Sequence, residues 1–144
     1  MTINRREFIK TQAIAAAADM PMILYNVPGR TGVDLENETV IRLADIPQIV
    51  GIKDATGDVP RGQALLEGLK GKDMTVYSGD DATAYQLIAL GALGNISVTA
   101  NVAPKEMSEV CAAAIAGDAE RAEQLNAKVA NLHNILFCES NPIP

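Results

Sequence analysis

Ile49-Val50-Gly51-Ile52-Lys53, closed by the breaker Thr56-Gly57-Asp58, is the stretch that decides the fold. It is β-branched and apolar at successive positions, as a parallel strand covered on both faces should be. Three other runs repeat its setting. Met22-Ile-Leu-Tyr25 follows a proline and is broken by Asn26, Pro28, Gly29 and Gly32. Met74-Thr-Val-Tyr-Ser78 ends in Gly79-Asp80-Asp81, and Asn95-Ile-Ser-Val-Thr99 lies beyond Gly91 and Gly94. Between the runs the spacing predicts helices over 35–44, 61–69 and 82–90. The first takes Asp34 as its N-cap and Val40, Ile41 and Ala44 as its apolar stripe; Asp80-Asp81 caps the third. Two helices finish the chain, one led by Pro104 over 106–116 and one from Asp118 to about 137. On the last, Ala122, Leu125, Val129, Leu132 and Leu136 share one face.

A strand followed by a helix, four times over with short connections, makes right-handed parallel β/α units. Such units build either an open doubly wound sheet or part of a (β/α)8 barrel, and periodicity does not choose. A whole barrel takes about 250 residues, more than the 144 here. With no Trp and 3% aromatics, the core must come from Ala, Val, Ile and Leu. A net charge of −6 disfavours nucleic acid and anionic membrane as partners, since both need clustered Lys and Arg. Cys111 and Cys138 form no disulfide framework and read as free buried thiols in a reducing compartment. With the single His133 they lack zinc-site spacing, so no metal is expected.

Residues 1–18 differ in character from 19–144. Arg5-Arg6 precedes Phe8, Ile9 and Lys10, then an alanine run from Ala13 to Ala18. This resembles a twin-arginine export leader. One alternative is an amphipathic helix whose Phe8, Ile9, Ile14 and alanines pack on a sheet; another is a fusion seam near Ala18.

In β/α proteins, chemistry collects where strands end and loops begin. Tyr25 and Lys53 both stand there. The apolar residues around Lys53 would desolvate its ammonium, and a neutral amine attacks a ketone to form an imine. Gly51, two residues earlier on the same face, would leave room for a small substrate. The competing reading is a lysine reaching from a strand end to solvent. Tyr25, otherwise a core tyrosine, can relay the proton transfers that imine chemistry requires. Arg30 is either a solvated loop charge or a two-point clamp for a carboxylate. His133, near the apolar face of the last helix, reads as structural.

Five ordered motifs then become recognisable: Tyr25-Asn-Val-Pro-Gly-Arg-Thr-Gly32, Gly51-Ile-Lys-Asp-Ala-Thr-Gly57, Ser78-Gly-Asp-Asp81, Gly94-Asn-Ile-Ser-Val-Thr-Ala-Asn101 and Glu139-Ser-Asn-Pro-Ile-Pro144. From about Asp19 to the end they closely resemble the dihydrodipicolinate synthase family. The resemblance implies a partial (β/α)8 TIM barrel, its C-terminal half, in a cytoplasmic lyase of lysine biosynthesis (the diaminopimelate pathway). The Arg5-Arg6 reading leaves periplasmic export as an alternative. The family resemblance implies a class I aldolase that needs no cofactor, condenses pyruvate with aspartate semialdehyde and assembles as a homo-oligomer. By resemblance, Lys53 forms the Schiff base, Tyr25 relays protons and Arg30 holds a carboxylate of the aldehyde. Gly79 and Ile96 line the pyruvate pocket. The Gly-Arg-Thr-Gly run after Tyr25 favours this member over related pyruvate aldolases. The family's first four strands are expected upstream of Met20. With them belong a Thr-Thr pair for the pyruvate carboxylate, a second tyrosine and the lysine-inhibitor site. The rival expectation is a catalytically silent half-barrel.

Overall fold

The computed structural model describes residues 5–17, 20–139 and 141–143. The elements run α1 (Arg5–Ala17), β1 (Met22–Asn26), a single turn α2 (Pro28–Thr31), α3 (Asn37–Leu43), β2 (Ile49–Asp54), α4 (Val59–Gly68), β3 (Thr75–Ser78), α5 (Ala84–Ala89) and β4 (Gly94–Asn95). A 3-10 turn (Thr99–Asn101), α6 (Pro104–Ile115) and α7 (Ala119–Ile135) complete the chain. All four strands are parallel, in the order β1-β2-β3-β4. That order settles what periodicity left open. A right-handed crossover that always steps to the next strand on the same side keeps every helix on one face of the sheet. A doubly wound sheet must reverse direction at a switch point. The sheet is therefore a sector of a β/α barrel.

The core lies between the sheet and its helices. Ile52 and Val76 point into it and meet Val40, Leu43, Leu65, Leu87 and Ile88, each under 7% exposed. Each side chain buried there is worth about 1.5–3 kcal/mol against exposure. Among the described residues no helix covers the opposite face, where Ile23 and Tyr25 are 50% and 52% exposed. No helix among the described residues is long and apolar enough to cross a membrane.

Several boundaries differ from expectation, each for a polar reason. Asp34 does not cap α3, whose N-cap position is Glu36. Asp34 instead accepts from Asn26 Nδ2 at 3.1 Å and pairs with Arg61 at 2.6 Å. The fourth strand ends at Asn95; the Ile96 amide still reaches the Ser78 carbonyl at 2.9 Å, but beyond it a side chain takes the amides, Val98 and Thr99 donating to Asp81 Oδ2 at 3.1 and 2.8 Å. Helix α5 starts later than expected, at Ala84, since Asp80 first caps the turn through the Thr83 amide at 3.0 Å. Cys138 is exposed and Cys111 half-buried, so neither is the sealed thiol expected.

In α1, Ala15 is fully buried and Phe8 packs against the core, its ring 4.2 Å below the Arg42 guanidinium. Ile9 and Ile14, expected to pack on the sheet, face outward at 53% and 63% exposure. The helix rests on α3, with Ala15 and Phe8 turned inward.

Candidate functional site

Pairing sets one row of residues across the uncovered face. Tyr25 pairs with Lys53, Lys53 with Tyr77 and Tyr77 with Gly94. One pair lower, Ile23, Gly51 and Thr75 form a second row. Side chains alternate along a strand, so Lys53 shares its face with Gly51 and not with Val50 or Ile52. The apolar run around Lys53 in sequence is thus not its shell in space, and the side chain is half-buried instead of sealed. Its ammonium lies 4.3 Å from the centroid of the Tyr25 ring, within cation–π range.

Two glycines fit this arrangement for reasons of contact. A Cβ on Gly79 would come within 2.8 Å of Lys53 Cε and of Ala55 Cβ. Only hydrogen there lets the lysine stem pass. A Cβ on Gly51 would meet Thr75 Oγ1 at 2.8 Å and the Thr75 carbonyl at 3.2 Å. Gly51 therefore accommodates the neighbouring strand, whereas the sequence suggested space for a ligand.

Lys53, Tyr25, Arg30 and Gly79 come together around an open cleft of about 750 Å³, walled further by Val27, Ala55, Asp80, Val98, Phe137 and the 141–143 segment. Ile96 is not among the lining residues; it stands two positions before Val98 and is 41% exposed. Arg30 is exposed on the β1 loop, with its guanidinium 5.8 Å from the Phe137 ring. Sequence reading missed Val98 and Phe137, since nothing in apolar residues past a strand or helix end marks them as cleft walls. Tyr77 was missed because only strand pairing reveals that it flanks Lys53.

Behind the cleft, Asn26 and Asp54 join the loops. Asn26 Nδ2 donates to Asp54 Oδ1 at 3.2 Å, and Asn26 Oδ1 accepts the Leu35 amide at 3.1 Å. Thr56 Oγ1 donates to Asp54 Oδ2 at 2.9 Å. The Arg61 guanidinium holds the Asp34 carboxyl below its usual range, against a smaller opposing effect of burial. On the other side, burial pushes Asp81 up, but hydrogen bonds from the 95–99 loop outweigh it and leave the carboxyl lowered. His133 is buried between Thr99 Oγ1 at 2.8 Å and Asn126 Oδ1 at 3.2 Å. Among the described residues no group of three or more His, Cys, Asp or Glu is placed to hold a metal ion.

The model of the dihydrodipicolinate synthetase family matches residues 7–144. The chain belongs to that family. The match starts upstream of Asp19 and takes in most of α1. The 4-hydroxy-tetrahydrodipicolinate synthases of Pseudomonas putida and Marinobacter nauticus are 58% and 61% identical over 137 and 134 residues, 95% and 92% of this chain. They share 47% and 46% of their own length with it, so the chain spans about half of these dihydrodipicolinate synthetase relatives. The crystal structure of a chloride-inhibited dihydrodipicolinate synthase from Acinetobacter baumannii, complexed with pyruvate, superposes with a TM-score of 0.92 and 69% identity. It covers 96% of this chain and 47% of that one. The Aquifex aeolicus enzyme gives 0.91 at 38% identity, with 97% and 48% covered. The family's fold is thus represented here by about half a barrel.

Proposed function

We propose that the chain carries the imine-forming part of a class I aldolase that condenses pyruvate with aspartate semialdehyde. The observation that carries this reading is one lysine, Lys53, set against the Tyr25 ring in a cleft that also holds Arg30. The names of the relatives and the pyruvate in the Acinetobacter structure support the substrate class.

In this reading the Lys53 Nζ lone pair adds to the ketone carbon of pyruvate and a C–N bond forms. The carbonyl oxygen takes up two protons and leaves as water, giving the imine. Loss of a proton from the methyl carbon makes an enamine. Its carbon attacks the aldehyde, the aldehyde oxygen is protonated, and water later hydrolyses the C–N bond. Tyr25 relays these protons from its place beside the amine. Arg30 receives the aldehyde substrate's carboxylate at the cleft mouth, where its exposure leaves the fork accessible. Gly79 gives the lysine its passage, and Ile96 lies on the loop that supplies Val98 to the wall.

A second reading, a silent half-barrel, draws support from the 52% exposure of Tyr25, because water around the amine and phenol weakens both roles. Borohydride trapping with pyruvate and peptide mapping separates the two. A single reduced adduct on Lys53, absent in Lys53→Ala, upholds the aldolase reading. No adduct, or adducts scattered over surface lysines, leaves the silent one.

A further inference from the structure

The cleft and a second cavity of about 320 Å³ share a wall made by Asp80 and Phe137. Behind it the hydrogen bonds close a ring. Asp81 holds the amides of Val98 and Thr99 and, at 2.7 Å, the Asn95 side chain. Thr99 Oγ1 bonds His133 Nδ1, and His133 Nε2 bonds Asn126 Oδ1. Asn126 Nδ2 donates at 3.3 Å to the carbonyl of Ala82, the residue after Asp81. Because that amide nitrogen is a donor, Asn126 Oδ1 accepts and His133 Nε2 carries a hydrogen. In the neutral ring Nδ1 then accepts the Thr99 hydroxyl.

We propose that Asp81 and His133 are positioning residues of the cleft, a clamp that joins the β3 turn, the loop after β4 and α7. The proposal rests on the aldolase reading. Both cleft walls that sequence reading missed hang from this clamp. Val98 is held through its own amide. Phe137 follows the end of α7, four residues after His133, with its amide on the Asn134 carbonyl and its ring 5.8 Å from the Arg30 guanidinium. Of the ring, only Val98 reaches the cleft wall; Asp81, Thr99, Asn126 and His133 are not among the residues that line the cleft with Lys53. Breaking the ring therefore loosens the walls around a bound substrate and leaves the bond-forming step alone.

The test uses the full chain with His133→Ala, His133→Asn and Asp81→Asn, and makes two measurements on each. Pyruvate titration with borohydride trapping gives a half-saturating concentration and a limiting rate. Amide hydrogen exchange gives the protection of Val98 and Thr99 against that of Ile52 and Lys53 in β2. For His133→Ala the half-saturating concentration should rise about fivefold, the scale of one lost buried hydrogen bond, with the limiting rate within about twofold. Exchange should quicken about tenfold at Val98 and Thr99 and stay unchanged in β2. His133→Asn, which keeps a partner for Thr99, should recover most of both shifts. Asp81→Asn combined with His133→Ala should be little worse than the worse single change, since the ring breaks once.

Unchanged exchange at Val98 and Thr99, equal acceleration in β2, or a limiting rate that falls at constant half-saturation would overturn the clamp. If the unsubstituted chain forms no adduct, the aldolase reading fails by itself. The exchange pattern then decides the clamp: selective loss at Val98 and Thr99 upholds it, and uniform or absent loss rejects it.

Discussion

The two faces of the sheet follow opposite rules. On the helix-covered face, Ile52 is 1% and Val76 3% exposed, packed against Leu65 and Leu87. On the uncovered face, one residue away along the same strands, stand Ile23, Tyr25, Lys53 and Tyr77, half-buried or exposed. Strand alternation sends the packed aliphatic side chains to one side and the lysine and tyrosines to the other. A change on the first should cost folding free energy, and a change on the second should cost chemistry.

The sharpest break of that contrast is Lys53→Ala. We expect complete loss of the pyruvate adduct, read by borohydride trapping, with a thermal midpoint within a few degrees of the unsubstituted chain. A large drop in midpoint would mean that Lys53 belongs to the packed face in energetic terms. Next comes a matched pair, Ile52→Ala against Ile23→Ala. The first leaves a cavity and should destabilise by about 2–5 kcal/mol. The second removes a half-exposed side chain and should cost under about 1 kcal/mol. Urea unfolding measures both, and equal losses would show that the uncovered face is packed in solution.

The loop behind the cleft gives a smaller and pH-dependent effect. Pairing with Arg61 lowers the Asp34 carboxyl below its ordinary 3.8. A lowered folded-state value stabilises the fold fully above the unfolded value, and the gain disappears as pH falls through the folded one. Asp34→Asn should therefore cost about 1 kcal/mol at pH 7, the pair being partly solvated. The difference from the unsubstituted chain should shrink below about pH 3.8. A difference that persists at pH 2 would assign the effect to packing. The smallest change concerns thiols. Burial pushes the Cys111 thiol up, and Cys138 is exposed. Alkylation at pH 8 should modify Cys138 first, with Cys111 lagging until the chain unfolds. Peptide mapping at early times checks the order.

What the sequence determined by itself was local or periodic. The four apolar runs with their Gly and Pro breakers located four strands to within a few residues. The last helix opens at Asp118 as its sequence position predicts, with that side chain holding the first-turn amide of Arg121, a bond made within three residues. The five motifs likewise named the family before any contact was known. Tertiary structure decided whatever depended on which residue lies beside which. Asp34 left its expected capping role because Arg61, distant in sequence, offers a charged partner. Beyond β4, Asp81 takes two amides that the longer strand expected there would have used. Gly51 makes way for Thr75 of the next strand, and Lys53 owes its neighbours to pairing and not to the apolar run around it. The choice between a doubly wound sheet and a barrel sector also waited for strand order, because one β/α unit has the same periodicity in either.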